Sequence, residues 1–302
     1  MEARAGSALP PSWAPYGFMN QGLEDEADHS SQPRAWHGPD FIPWVDGLVG
    51  RLAAFAWPQW TANGWDGAAG GNAEALTRAD LAIMSRCAAQ LVQPARHAGG
   101  RSNMWWFNWE DDLPGNSWDR RFEACFPTSQ IDRDTFRMTL GEIAMNRYYG
   151  GIPFMLKRGL QRPRPYQMAL ALGTDRIAPQ PSISAWSPSA ISGHSFQALM
   201  GVLTTYLDFS ALAPHRDELL RLAVDIGDRR VLAGIHYPSD NAMSWWVAFN
   251  CIEHVARDKA QEAEMRKFIR EAVAGSRVWA AMEKSAAHKP LVDELNTLLT
   301  GN

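Results

Sequence analysis

Between Lys157 and Asp240 the chain carries three short polar clusters in otherwise apolar sequence, and each falls where a helical pattern begins or ends. The first is Lys157-Arg158-Gly159-Leu160-Gln161-Arg162-Pro163-Arg164-Pro165. The second is Ser192-Gly193-His194. The third is Arg230, His236 and Asp240, separated by five and then three residues. If these groups act together, the fold must bring helix ends and turns more than seventy positions apart to one place.

The rest of the chain reads as helices that build such a place. No stretch alternates apolar and polar residues long enough for a useful strand, and no repeat occurs at solenoid periods, so the expected class is all-α. Residues 1–40 are rich in Pro, Ser, Gly and acids and read as an irregular arm, with Trp13, Tyr16, Phe18 and Trp36 pinning it to the body. Apolar spacing over 41–60 predicts a short helix ending near Pro58, followed by a Gly/Ala-rich loop over 63–72. A helix is expected over 73–96. Another, over 132–156, delivers Lys157, with Gly150-Gly151 and Pro153 marking a break before the lysine. The proline-rich stretch 161–189 reads as a surface loop. Helices are expected over 192–207, from Pro214 to about Ala233, and over 240–257 with Pro238 in its first turn. Residues 259–299 read as terminal helices on the surface. The expected organisation is an arm with a short helix packed on the body, 1–72, and a single helical domain, 73–302.

Composition narrows the functional classes. A net charge of −4 offers no basic field for nucleic acid, so the cations at 157–164 suit a small anion. Cys87, Cys125 and Cys251 are sparse and odd in number, which gives neither a disulfide framework nor zinc-ligand spacing; they read as small buried hydrophobes. No window reaches the ~20 apolar residues a bilayer span needs, and the best run, 242–252, is about half that long. No transmembrane segment is therefore expected. The first twenty residues show no signal-peptide pattern, so a soluble cytoplasmic protein is expected, or a periplasmic one if a signal has been removed. The run Met104 to Asp112, with Trp105, Trp106 and Trp109, fits either a plug between helices or a wall over a pocket.

The clusters together hold the parts of a phosphoryl-transfer site that needs no metal. Phosphoryl transfer spreads negative charge over three equatorial oxygens, and fixed cations answer it. Lys157, Arg164 and Arg230 can supply them, Arg164 stiffened between Pro163 and Pro165. Arg158 and Arg162 read as solvated. Ser192-Gly193-His194 opens a helix, where a hydroxyl, a glycine and free N–H groups favour an anion. His236 and Asp240, four apart at a helix start, can pair, so that a carboxylate fixes one ring nitrogen and frees the other to attack. His236 then acts neutral as nucleophile and His194 acts protonated as acid.

In this order and spacing the clusters resemble the superfamily of type 2 phosphatidic acid phosphatases, bacterial class A acid phosphatases and vanadium haloperoxidases. The family pattern is Lys-x6-Arg-Pro, Pro-Ser-Gly-His, and Ser-Arg-x5-His-x3-Asp. Here it appears as Lys157 with Arg164-Pro165, Ser192-Gly193-His194, and Arg230, His236 and Asp240, over 84 residues. Ile191 stands where the family has proline, and Arg229 where it has serine. The resemblance implies a helical bundle of the acid phosphatase/vanadium haloperoxidase type. It implies phosphate binding by Lys157, Arg164, Ser192, Gly193 and Arg230. Catalysis would fall to His236 as the phosphohistidine, His194 as general acid and then base, and Asp240 as the group orienting His236.

The expected activity is that of a soluble, metal-independent, acid phosphatase-like enzyme acting on a phosphate ester or diphosphate. Its expected partner is a small phosphorylated substrate, lipid phosphates included, with no nucleic acid, no cofactor and no bound metal. Two alternatives use the same residues: a haloperoxidase holding vanadate as cofactor, and a non-catalytic phosphate-binding scaffold. The spacing says nothing of oligomeric state.

Overall fold

The structure is a computed structural model and describes residues 40–55, 60–61, 64–65, 71–90, 151–179, 182, 185 and 187–300. The arm before residue 40, the Trp105–Trp109 cluster, Cys125 and the first part of the expected 132–156 helix lie outside the described residues, as do 91–96 and most of 63–72.

The described α-helices are α1 (Phe41–Leu52), α2 (Gly71–Gln90), α3 (Gly151–Leu160), α4 (Pro165–Ala171), α5 (Gly193–Asp208), α6 (Arg216–Leu232), α7 (Pro238–Val255), α8 (Lys259–Ala274), α9 (Arg277–Met282) and α10 (Lys289–Thr300). Extended pairing among the described residues is confined to Trp60–Thr61 against Gly64–Trp65. The fold is all-α, as the periodicity predicts.

The centre of the molecule is α7, buried without interruption from Pro238 to Phe249. Such a helix can only sit where neighbours cover every face. Its neighbours are α5, α6, α8, α9, α10 and α2. This is where the apolar run 242–252 goes. No helix among the described residues is long and apolar enough to cross a membrane. Trp245 and Trp246 are fully enclosed, and Trp245 meets Trp279 of α9 edge-on at 6.2 Å between ring centroids. Cys251 is buried and Cys87 half-buried.

Local signals set the helix ends. Ser192 caps α5 by accepting from Ser195 N at 3.2 Å, and Ser276 caps α9 by accepting from Trp279 N at 3.0 Å. Pro165 and Pro238 occupy first turns, where a missing N–H costs nothing. Gly234, at φ +76°, ends α6 and turns the chain toward His236, with Ile177 and Pro179 at its back.

Three expectations are corrected. Helix α3 runs without interruption from Gly151 through Lys157 to Leu160, past the expected end at 156, with Pro153 in its first described turn; Gly150, where the expected break begins, lies outside the described residues. The stretch 161–189 is not all loop: Pro165 starts α4, and Gln167 Oε1 accepts from Arg164 N at 2.8 Å to close its first turn. The terminal helices are not merely surface cover, since Phe268, Ile269, Trp279, Met282 and Leu295 complete the core. Helix α1 also joins that core through Phe41, Val45, Leu48 and Leu52, and lays Val49 against Gly159 of α3.

Candidate active site

Four segments meet at the start of α7. Helix α3 and the turn after it bring Lys157, Arg162 and Arg164. The segment 187–189 runs beside them. Ser192 opens α5, and the turn after α6 brings His236. Ser189 N donates to Arg162 O at 2.7 Å, which fastens the first two together. Ser192 N donates to Asp240 O at 3.4 Å, and Ser244 Oγ bridges Ser192 O and Asp240 O at 2.8 and 2.7 Å. The start of α5 is therefore tied to the start of α7.

At the centre is a buried line of three side chains. His236 Nδ1 lies 3.2 Å from Asp240 Oδ2, and its Nε2 lies 3.1 Å from Arg164 Nη1. Arginine only donates, so Nε2 accepts from Arg164. The ring proton of a neutral imidazole is then on Nδ1 and is donated to Asp240. Burial pushes the His236 pKa well below its ordinary value, and the charges of Arg164 and Lys157 push the same way, against the pull of Asp240. His236 is neutral, with a lone pair on Nε2. Asp240 is also enclosed. Burial alone raises a carboxyl pKa, but Arg162, His236 and Ser189 outweigh it and hold Asp240 well below the usual carboxylate range.

The remaining predicted residues lie around this line. Lys157 is buried, and its Nζ donates to Pro188 O and to Ser189 O, the latter at 3.2 Å. Arg164 Nε donates to Ser187 O at 2.8 Å and Nη1 to Ile235 O at 3.0 Å. Arg230 is fully buried at the end of α6. Its carbonyl accepts from Ile235 N and His236 N, and its Nη2 donates to Ser182 Oγ at 2.7 Å. Gly193 and His194 form the half-buried first turn of α5 beside the Ser192 cap. The contacts thus unite Lys157, Arg164, Ser192, His236 and Asp240 directly or through 187–189. Arg230 joins through its backbone, and His194 by its place in the same turn. Ile191 is buried in the core.

Arg162 corrects the sequence reading. It is not solvated but wholly buried, with Nη1 2.8 Å from Asp240 Oδ1 and Nη2 3.0 Å from Asp80 Oδ2. Its guanidinium lies 3.8 Å over the Tyr237 ring. Burial disfavours its charge, but Asp240 and Asp80 outweigh that and raise its pKa. Removing one partner of such a buried pair costs about 3–5 kcal/mol. One signal was present in the sequence: a second arginine, Arg162, stands next to the motif arginine Arg164 across a single proline. Arg164 meets His236 while Arg162 turns behind Asp240. Asp80, Thr77, Ser189 and His288 carried no such signal. Arg158 is exposed, as expected.

The described all-α scaffold thus holds a neutral histidine between a carboxylate and an arginine, with a buried lysine beside them. Residues 140–261 match the family model of the PAP2 superfamily, which supports the resemblance of this stretch to the type 2 phosphatidic acid phosphatases. Enzymes of that superfamily generally hydrolyse phosphate esters, so the activity to which the family points is of the phosphatase type. The match contains all three clusters and excludes Asp80 and His288. No curated protein matches the chain.

Proposed function

We propose that this protein is a phosphatase that hydrolyses a phosphate ester or diphosphate through a phosphohistidine on His236, with no metal in the reaction. The single observation that carries this reading is the buried Asp240–His236–Arg164 line, which presents a neutral imidazole with its Nε2 lone pair directed away from the carboxylate.

In the proposed reaction Arg164 Nη1 exchanges His236 Nε2 for a phosphate oxygen, which exposes the lone pair. Lys157 and Arg230, with Ser192 Oγ and the Gly193 N–H, share the other oxygens; fixed donors of this kind stabilise the charge of the transition state. Nε2 attacks phosphorus, the P–O bond to the leaving group breaks, and protonated His194 gives its proton to the leaving oxygen. Asp240 stabilises the positive charge that develops on the His236 ring. Neutral His194 then takes a proton from water, whose oxygen attacks phosphorus. Phosphate leaves and His236 returns to its neutral form. The cations supply the positive charge that a metal supplies in other phosphatases.

The test is a substrate panel of an aryl phosphate, a nucleotide, a sugar phosphate, a lipid phosphate and a diphosphate. It is run with wild type and His236→Ala, with and without chelator. Phosphate release should fall at least about 1,000-fold in the variant, with circular dichroism unchanged, and chelator should have no effect. Turnover of the folded variant within tenfold of wild type would remove His236 as nucleophile. Activity lost to chelator and restored by magnesium or zinc would overturn the metal-free scheme. Vanadate should inhibit; bromide oxidation by peroxide, switched on by vanadate, would replace the phosphatase reading with a peroxidase.

A further inference from the structure

Asp240 acts through His236, yet most of what holds Asp240 lies behind it. Its Oδ1 takes Arg162 Nη1 at 2.8 Å; its Oδ2 takes His236 Nδ1 at 3.2 Å, Tyr237 N at 3.0 Å and the Ser189 hydroxyl. Arg162 is fixed in turn. Nη1 also donates to Ser239 Oγ at 2.7 Å, Nη2 donates to Thr77 Oγ1 at 3.2 Å and Asp80 Oδ2 at 3.0 Å, and the Tyr237 ring covers one face. Asp80 accepts from Ser239 N at 3.0 Å, from the Ser239 hydroxyl and, through Oδ1, meets His288 Nε2 at 2.8 Å. The side chains of Asp80, Arg162, Asp240 and His288 are all fully enclosed.

We propose that Arg162 is a positioning residue for the reaction. It fixes the Asp240 carboxylate edge-on to His236, and Asp80, backed by His288, sets how strongly Arg162 acts on that carboxylate. The proposal rests on the phosphohistidine reading above. Asp80 and His288 come from α2 and from the turn before α10, outside the family-matched stretch. The groups behind Asp240 thus come from both sides of that stretch as well as from within it. A guanidinium bonded to one carboxylate oxygen leaves only the other for the histidine and prevents the carboxylate from rotating.

The charges act in opposite directions. The charged and titratable groups around the pair are Lys157, Arg162 and Arg164 from α3 and the turn after it, Asp80 from α2, Tyr237 beside His236, and His288. A cation against Asp240 weakens its hold on the His236 proton. A carboxylate on the far side of that cation restores part of the hold. Removing Arg162 therefore raises the affinity of the His236–Asp240 pair for a proton, and neutralising Asp80 lowers it.

The experiment compares Arg162→Met, Arg162→Lys and Asp80→Asn with wild type on an aryl phosphate across pH. His236 is also titrated by NMR in each protein. Arg162→Met should lower kcat about 100-fold with KM within about threefold, and move the acid limb to higher pH. Arg162→Lys should recover at least about tenfold of that loss. Asp80→Asn should move the acid limb to lower pH. Folded variants whose limbs stay put, or move in the same direction, would overturn the proposal. If Arg162→Met does not fold, the direction of the Asp80→Asn shift decides alone. If wild type hydrolyses no phosphate, the phosphatase reading falls, while the opposed NMR titrations of His236 still test the shell independently.

Discussion

His236 owes its chemistry to contacts on both ring nitrogens. With Asp240 at Nδ1 and Arg164 at Nε2, the ring is held in one tautomer. The sign of its pH response follows. Its pKa is lowered, so the neutral form persists below the ordinary value of 6.5. The acid limb of kcat/KM should accordingly lie below pH 6.5, measured on any substrate the panel identifies. The unfolded chain binds this proton more readily than the folded one, so His236 also costs stability as pH falls through 6.5. Asp240, whose pKa is lowered from 3.8, adds to that loss further down, as pH falls below its unfolded value. Asp240→Asn should reduce kcat about 1,000-fold or more, because an amide NH2 facing Nδ1 stabilises the wrong tautomer. An unchanged kcat in the folded variant would leave Asp240 with a structural part only.

Helices α5 and α6 show what the site demands of whole elements. They approach so closely that a Cβ on Gly227 of α6 would sit 2.0 Å from Ser195 Oγ and 3.2 Å from Asn241 Nδ2. Ser195 Oγ donates to Asn241 Oδ1 at 2.7 Å, joining α5 to α7 one residue past Asp240. In an exposed helix Gly→Ala ordinarily stabilises by about 1 kcal/mol. Gly227→Ala should do the opposite. Overpacking should destabilise by about 1–3 kcal/mol and lower Tm, read by thermal denaturation, because the serine must leave its bond to Asn241. A raised Tm would mean that the two helices are not in this register. Asp228, one residue on, reaches the other way and accepts from Ser276 Oγ at 2.8 Å and Arg277 N at 2.9 Å, docking α9. Burial pushes its pKa up to about 6 against those bonds. One helix therefore carries a core contact, a dock for α9 and, at its end, Arg230.

At the scale of the whole molecule, the family-matched stretch 140–261 is not closed on itself. Its central helix α7 is covered partly by α8, α9 and α10, and Trp245 loses its Trp279 partner if they are removed. A buried tryptophan contributes about 4–6 kcal/mol of apolar burial, comparable with the net stability of a domain. A fragment of residues 140–261 should therefore fail to unfold cooperatively, as followed by circular dichroism and tryptophan fluorescence. A sharp transition with Tm within about 5 °C of the full chain would show that the terminal helices are dispensable. The parts of this molecule that were legible along the chain share one property: their partners lie within a few residues. The helices over 192–207 and 240–257, the Ser192 cap and the His236–Asp240 pair all follow from short-range geometry, so spacing alone determined them. What lies behind Asp240 was decided only when the helices packed. Arg162 meets Asp80 across 82 positions and His288 meets Asp80 across 208, and at such separations local periodicity carries no information about which charge ends up beside which. Burial made the difference: a guanidinium that reads as solvated on a proline-rich turn becomes, once enclosed by α2 and α7, the counter-charge that two carboxylates require.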